Sequence, residues 1–304
     1  MKRSALAIHG GAGTIIKSLM TSELENEYLN GLRKALEVGW SILEKGGNAL
    51  DTVEATVVEL ENFPLFNAGK GSVFTHSGKN EMDASIMDGG KLQAGAVAFV
   101  KNIKNPIKLA RLVMERTDHI LLGGEGANEF AKEMKAEHEP DDYFYTEHRY
   151  QQLQEAIEYD RVQLDHGSKP MGTVGAVACD SEGNIAAATS TGGMTNKKFG
   201  RIGDTPMIGS GTYADNATCA VSCTGHGEYF MIGATAYDVA ARMKYQGIGI
   251  EQAAMDSIKY LTKIGGEGGL IAVDARGNIT MPFNSEGMYR GSTEGGEFVV
   301  EIYR

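Results

Sequence analysis

Three threonines stand beside glycines, where a hydroxyl could serve chemistry. They are Thr173 in Gly172-Thr173-Val174-Gly175, Thr191 in Ser190-Thr191-Gly192-Gly193, and Thr224 in Cys223-Thr224-Gly225-His226-Gly227-Glu228. Asp165 to Pro170 holds turn formers without apolar periodicity, whereas Val174 to Cys179 is small, apolar and β-branched, so the Gly172–Thr173 bond joins a loop to a buried strand. One reading of Thr173 is a strand-opening residue chosen for β-propensity. The other is that the Gly172–Thr173 bond breaks and frees a threonine whose own α-amine is the base for its hydroxyl. With Thr191 to orient that hydroxyl, and the Thr224 side chain with the Gly225 N–H as oxyanion donors, the three motifs hold what acyl transfer needs.

Between the second and third motifs lies Gly200-Arg201-Ile202-Gly203-Asp204. Arg201 and Asp204 are either a local ion pair or a zwitterion clamp. In the clamp, the arginine fork takes a carboxylate and the aspartate accepts from an ammonium, as a free amino acid head group would require.

The elements that must position these residues follow from periodicity. Ala5 to Ile8 is a strand, followed by His9-Gly10-Gly11-Ala12-Gly13, a structural or site-lining turn. Ser22 and Glu25 have capping-box spacing ahead of a long amphipathic helix that runs to Gly46-Gly47, and a second helix spans Ala49 to Leu60. Ser72 to Thr75 and Met82 to Met87 read as a hairpin about 76–80, and Ala94 to Val100 as a doubly covered strand. Helices begin at Asn105-Pro106 and span Gly124 to Lys135 and Glu147 to Tyr159, ahead of a polar tail over about 160–172. Strands are expected at 174–179, 184–190 and 217–223, with a glycine-rich loop from Gly192 to Gly211. Helices follow over Glu228 to Tyr245 and Ile250 to Ile264, and strands at 269–274, 278–282 and 297–303 close the chain. Runs of strands alternating with runs of helices indicate a layered α+β fold, with sheets inside and helices outside.

Composition narrows the partners. The 304 residues carry 29 basic and 40 acidic side chains, a net charge of −11 without a long single-sign run, so neither nucleic acid nor an anionic membrane is expected as partner. No apolar run approaches the roughly 18 residues of a membrane span, and the opening apolar piece is too short for a signal peptide. Cys179, Cys219 and Cys223 are odd in number and lack metal-ligand spacing, which suits buried thiols in a reducing, cytoplasmic setting.

The motifs already quoted, together with His9-Gly10-Gly11-Ala12-Gly13 and Pro64-Leu65-Phe66-Asn67-Ala68-Gly69, resemble across the whole chain the plant-type L-asparaginase/isoaspartyl peptidase family of N-terminal-nucleophile hydrolases. The resemblance implies a single domain folded as a four-layer αββα sandwich and cut into residues 1–172 and 173–304. It implies hydrolysis of L-asparagine and β-aspartyl (isoaspartyl) dipeptides, with the processed pairs forming a homodimer. It makes Thr173 the nucleophile, Thr191 its hydroxyl partner, Thr224 and Gly225 the oxyanion hole, and Arg201 and Asp204 the substrate anchors. The Gly227 carbonyl faces the substrate ammonium, and Asn67 lines the site. No cofactor is implied for catalysis. The loop from Leu60 to Lys70 is implied to hold a structural sodium ion through the backbone carbonyls of Leu60, Glu61, Phe63, Phe66, Ala68 and Lys70, in keeping with the oxygen preference of hard cations. His226 receives no catalytic role.

Two other functions compete. Glycosylasparaginase, a related enzyme, is expected to bring a secretory signal and disulfides. A non-enzymatic sugar or nucleotide binder would use the glycine turns for ligand approach and leave the chain whole.

Overall fold

The computed structural model describes residues 4–159 and 172–304, so of the expected polar tail only Gly172 is among them. In chain order the elements are β1 (Ala5–Gly13), α1 (Ser22–Glu44), α2 (Ala49–Asn62), β2 (Met82–Asp88), β3 (Gln93–Val100), α3 (Pro106–Arg116), β4 (Leu121–Gly123), α4 (Gly124–Glu133), α5 (Asp141–Phe144) and α6 (Glu147–Glu158). After the undescribed residues come β5 (Val174–Cys179), β6 (Ile185–Thr191), β7 (Thr212–Ala214), β8 (Cys219–Gly225), α7 (Gly227–Gly233), α8 (Thr235–Gln246), α9 (Ile250–Lys263), β9 (Gly268–Asp274), β10 (Ile279–Thr280), β11 (Gly287–Glu294) and β12 (Glu297–Glu301).

Eight strands form one sheet in the order β12-β11-β1-β5-β6-β2-β3-β4, and four form a second in the order β10-β9-β8-β7. Side-chain alternation separates three apolar cores. In β1, Leu6 and Ile8 pack with Leu32 and Leu36 of α1 and Val53 and Val57 of α2, while Ala5 and Ala7 face Ile271 and Val273 of β9. The outer face of the small sheet, with Val221, Leu270 and Ala272, is covered by Val239 of α8 and Ala254 and Ile258 of α9. The layers are therefore helix, sheet, sheet and helix: the αββα sandwich. Large side chains meet the helices, where each fully buried Leu or Ile contributes roughly 1.5–3 kcal/mol, while alanines between the sheets keep them close.

Several expected elements differ. β1 continues through the glycine cluster to Gly13, pairing with β11 across an irregularity between His9 and Gly11. The segment Gly287–Glu294 was not expected as a strand: its residues are almost all buried, so polar–apolar alternation is lost, and Gly291 leaves space filled by Leu36. The hairpin partner of β2 is β3, whereas Phe74 makes only an isolated bridge to Asn80. The strand expected at 217–223 lies at 219–225 as β8, which places Thr224 inside it. The helix expected over Glu228 to Tyr245 breaks at Ala234, whose left-handed backbone (φ 44°) separates α7 from α8. Thr21, rather than Ser22, caps α1 by accepting from the Leu24 N–H.

Candidate active site

The period-2 alternation of four strands gathers the hydroxyls. Val177 and Cys179 of β5, Ile185 and Ala187 of β6 and Ala220 of β8 face the space between the sheets. Continuing each register by twos places Thr173 at the head of β5, Thr189 and Thr191 in β6, and Ser222 and Thr224 in β8 in that same space. His9 arrives there from β1, two residues beyond Ala7.

Thr173 is buried, and its hydroxyl donates to Thr191 Oγ1 at 3.1 Å. Thr191 Oγ1 also accepts from the Gly193 N–H at 3.0 Å, which fixes its direction. Asn67 braces this turn from the first half of the chain: its amide donates to the Gly193 carbonyl (2.7 Å), its backbone carbonyl accepts from Gly192 N–H (3.1 Å), and its side-chain oxygen accepts from Val73 N–H (3.0 Å). Asn67 thus supports Thr191.

His9 is fully buried, and its Nδ1–H donates to the Thr173 carbonyl at 2.9 Å. Burial drives its pKa down to about 3, despite that bond, so the ring is neutral. A carbonyl only accepts; the proton therefore sits on Nδ1, and Nε2 accepts from the Ser222 hydroxyl at 2.8 Å. Ser222 Oγ lies 2.7 Å from Thr189 Oγ1. A side chain on Gly175 would occupy the space between His9 and Ser222.

Gly172 is wedged against the glycine-rich end of β1. Gly11 has φ +123°, and a methyl group on it would stand 2.6 Å from Gly172 N and 2.7 Å from Gly172 Cα. On its other side Gly172 meets Thr224, since a methyl group on Gly172 would come within 3.2 Å of Thr224 Oγ1. Thr224 is fully buried, and its Oγ1 accepts from Ala12 N–H at 3.3 Å. The hydroxyl of Thr224 therefore lies beside the residue whose carbonyl precedes Thr173.

Arg201 and Asp204 bracket Gly227. A methyl group there would stand 2.9 Å from Arg201 Nη2 and 2.8 Å from Asp204 Oδ1, so only glycine leaves this space open. Asp204 is buried with Oδ2 lacking a hydrogen-bond partner, and burial pushes its carboxyl up to about 7 against the pull of Arg201. The reading of Arg201 and Asp204 as a mutual ion pair is not realised: Arg201 pairs with Glu228, through Nε to Oε1 and Nη2 to Oε2, both at 2.8 Å. Burial raises the Glu228 carboxyl, but the bonds from Arg201 more than offset it, leaving its pKa below the usual value. His226 is half-buried with Nε2 3.6 Å from Glu228 Oε2, at the rim of this group.

The Leu60–Lys70 loop packs closely on its own main chain. Gly69 packs against the Glu61 carbonyl, and Gly71 against those of Phe66 and Pro64, without room for a Cβ. Carbonyls of Leu60, Phe63, Phe66 and Ala68 accept turn N–H groups and retain a second lone pair. The Lys70 Nζ lies 5.2 Å from the Tyr143 ring centre. Among the described residues no group of three or more His, Cys, Asp or Glu side chains is placed to hold a metal. A cation here would be held by main-chain oxygens, a donor set that fits sodium.

Two residues of this site were not assigned by sequence reasoning. His9 was read only as part of a glycine turn, and no local signal ties it to Thr173, 164 residues away. Glu228 stood within a quoted motif, but its pairing with Arg201 depends on how β8 and α7 lie against the 192–211 loop.

An αββα sandwich with a threonine heading an inner strand is the architecture of the N-terminal-nucleophile hydrolases. A family profile described as Asparaginase matches residues 2–301, and the chain belongs to that family. It is 50% identical over 297 residues to the isoaspartyl peptidase of Salmonella typhimurium, covering 95% of each chain. It is 49% identical to the isoaspartyl peptidase of Escherichia coli, covering 95% of this chain and 92% of that one. With the human isoaspartyl peptidase/L-asparaginase it shares 45% identity over 285 residues, 93% of this chain and 91% of the other.

Proposed function

We propose that this chain is a self-processing amidohydrolase that cuts its own Gly172–Thr173 bond. The freed Thr173 then hydrolyses the side-chain amide of L-asparagine and the isopeptide bond of β-aspartyl dipeptides. The observation that carries this reading is the Thr173 hydroxyl held by Thr191 while Gly172 lies between Gly11 and the Thr224 hydroxyl. Relatives at 45–50% identity bear isoaspartyl peptidase or L-asparaginase in their names, in support of the substrate class.

In self-cleavage, Thr173 Oγ adds to the Gly172 carbonyl as its hydroxyl proton passes to the departing Thr173 nitrogen, and the oxyanion is received by the Thr224 hydroxyl and Gly225 N–H. The C–N bond breaks, leaving an ester and a free α-amine, and water hydrolyses the ester. In turnover that amine takes the Thr173 hydroxyl proton as Oγ adds to the substrate β-carbonyl. The proton passes to the departing ammonia or amine, and water releases aspartate from Thr173. Arg201 holds the α-carboxylate, Asp204 and the Gly227 carbonyl hold the ammonium, and Asn67 braces the Thr191 turn.

Residues 1–172 and 173–304 stay together as one unit after the cut, because β1 is hydrogen-bonded on one side to β5 and on the other to β11. The processed pair associates as a homodimer. The Leu60–Lys70 loop holds sodium as a structural ion and takes no part in bond breaking. The buried thiols of Cys179, Cys219 and Cys223 suit a cytoplasmic setting, and among the described residues no helix is long and apolar enough to cross a membrane. Competitive turnover of L-asparagine and a β-aspartyl dipeptide by the purified protein tests the substrate class: both should yield aspartate, and release from neither would overturn it.

A further inference from the structure

An arginine side chain carries five N–H donors in one plane, arranged along two usable edges. In Arg201 the Nε/Nη2 edge is taken by both oxygens of Glu228, at 2.8 Å each. Among the described residues no protein acceptor takes the Nη1/Nη2 edge. Gly203 covers one face of the guanidinium, since a methyl group on it would stand 2.8 Å from Nη1 and 3.2 Å from Cζ. The same Nη2 borders the cleft at Gly227, across which stands the Asp204 carboxyl with its unpartnered Oδ2. The guanidinium is thus gripped along one edge and covered on one face, with its second edge left for a ligand.

We infer that Glu228 is a positioning residue that sets substrate affinity: by holding the Nε/Nη2 edge of Arg201, it presents the Nη1/Nη2 edge to the α-carboxylate of an amino acid whose ammonium meets Asp204. This rests on the reading of Arg201 and Asp204 as the substrate anchors. The alternative, that Glu228 imitates the substrate carboxylate and must be displaced, does not follow from this geometry, because one guanidinium can take two carboxylates on its two edges. Without Glu228 the long arginine side chain samples other rotamers, and binding must then restrict it. The consequence falls on capture of the zwitterionic head, while the Thr173 chemistry is left in place.

The test is Glu228→Gln in the processed enzyme, assayed on a β-aspartyl dipeptide beside Arg201→Ala. Glutamine keeps the length but offers one acceptor oxygen and turns an N–H₂ group toward the guanidinium. KM should rise roughly tenfold or more, as expected for loss of a charge-assisted fork, with kcat within about twofold. Self-cleavage, which uses no bound amino acid, should proceed to completion and report a native fold. A lowered KM would make Glu228 a competitor of substrate, and an unchanged KM or an equal loss of kcat and self-cleavage would make it a structural residue; each overturns the inference. If Arg201→Ala raises KM while Glu228→Gln does not, only this inference fails. If Arg201→Ala leaves KM unchanged, the anchor reading itself fails.

Discussion

His9 Nδ1 lies 2.9 Å from the carbonyl oxygen of Thr173, so a side chain of the first strand grips the main chain of the proposed nucleophile. Replacing His9 with Ala removes the donor to that carbonyl and the acceptor of the Ser222 hydroxyl proton, and loosens Thr173. Misplacement of a reacting group by about 1 Å costs on the order of 10²-fold, so kcat of His9→Ala should fall by about that factor with KM little changed. His9→Asn, whose amide can replace Nδ1–H, should recover part of the loss. Steady-state kinetics on the three proteins checks this.

The same histidine makes stability depend on pH. Its pKa is about 3 in the fold and 6.5 as a free side chain, so below pH 6.5 the unfolded chain binds the proton that the folded chain refuses. Stability from this group is complete above pH 6.5 and is lost as pH falls toward about 3, by up to about 5 kcal/mol. Denaturant melts from pH 7 to 4 should show a shallower loss for His9→Asn than for the wild-type protein.

Gly11 lies against the proposed scissile residue without room for a side chain. An alanine at φ +123° is strained by about 1–3 kcal/mol, and its methyl group would stand 2.6 Å from Gly172 N. Gly11→Ala should therefore fold with β1 still paired but leave most of the chain uncut. A denaturing gel after prolonged incubation reads the outcome.

Asp204 should give substrate binding a pH dependence of its own. Burial lifts its carboxyl to about 7 in the free enzyme, and only the ionised form attracts an ammonium. As pH falls through about 7 the group takes up a proton and KM for a β-aspartyl dipeptide should rise, while above it KM should level off. Asp204→Asn should remove that dependence and hold KM near the wild-type protein's low-pH level at every pH, as a KM–pH profile would show.

The parts of this site that were legible in the sequence lie within short motifs. Thr173, Thr191, Thr224, Arg201 and Asp204 each carry their meaning beside glycines and strand boundaries a few residues away. His9 and Glu228 act through partners 164 and 27 residues distant, brought near by packing that no local pattern records. The layered fold was legible because its helices keep an apolar face toward the sheets. β11 was not, because β1, β12 and α1 enclose it, and the alternation that marks a half-exposed strand is erased. The break at Ala234 was hidden for another reason: alanine favours helix, and here tertiary packing overrides that propensity.

The central claim is that Thr173 becomes a chain terminus through its own hydroxyl. Intact-mass measurement of the purified protein, beside Thr173→Ala, tests it most directly. The wild-type chain of 32.6 kDa should give way to two pieces, one of which begins at Thr173, and Thr173→Ala should stay whole. A wild-type chain that remains uncut after prolonged incubation, or a Thr173→Ala chain that splits at the same bond, would contradict the account.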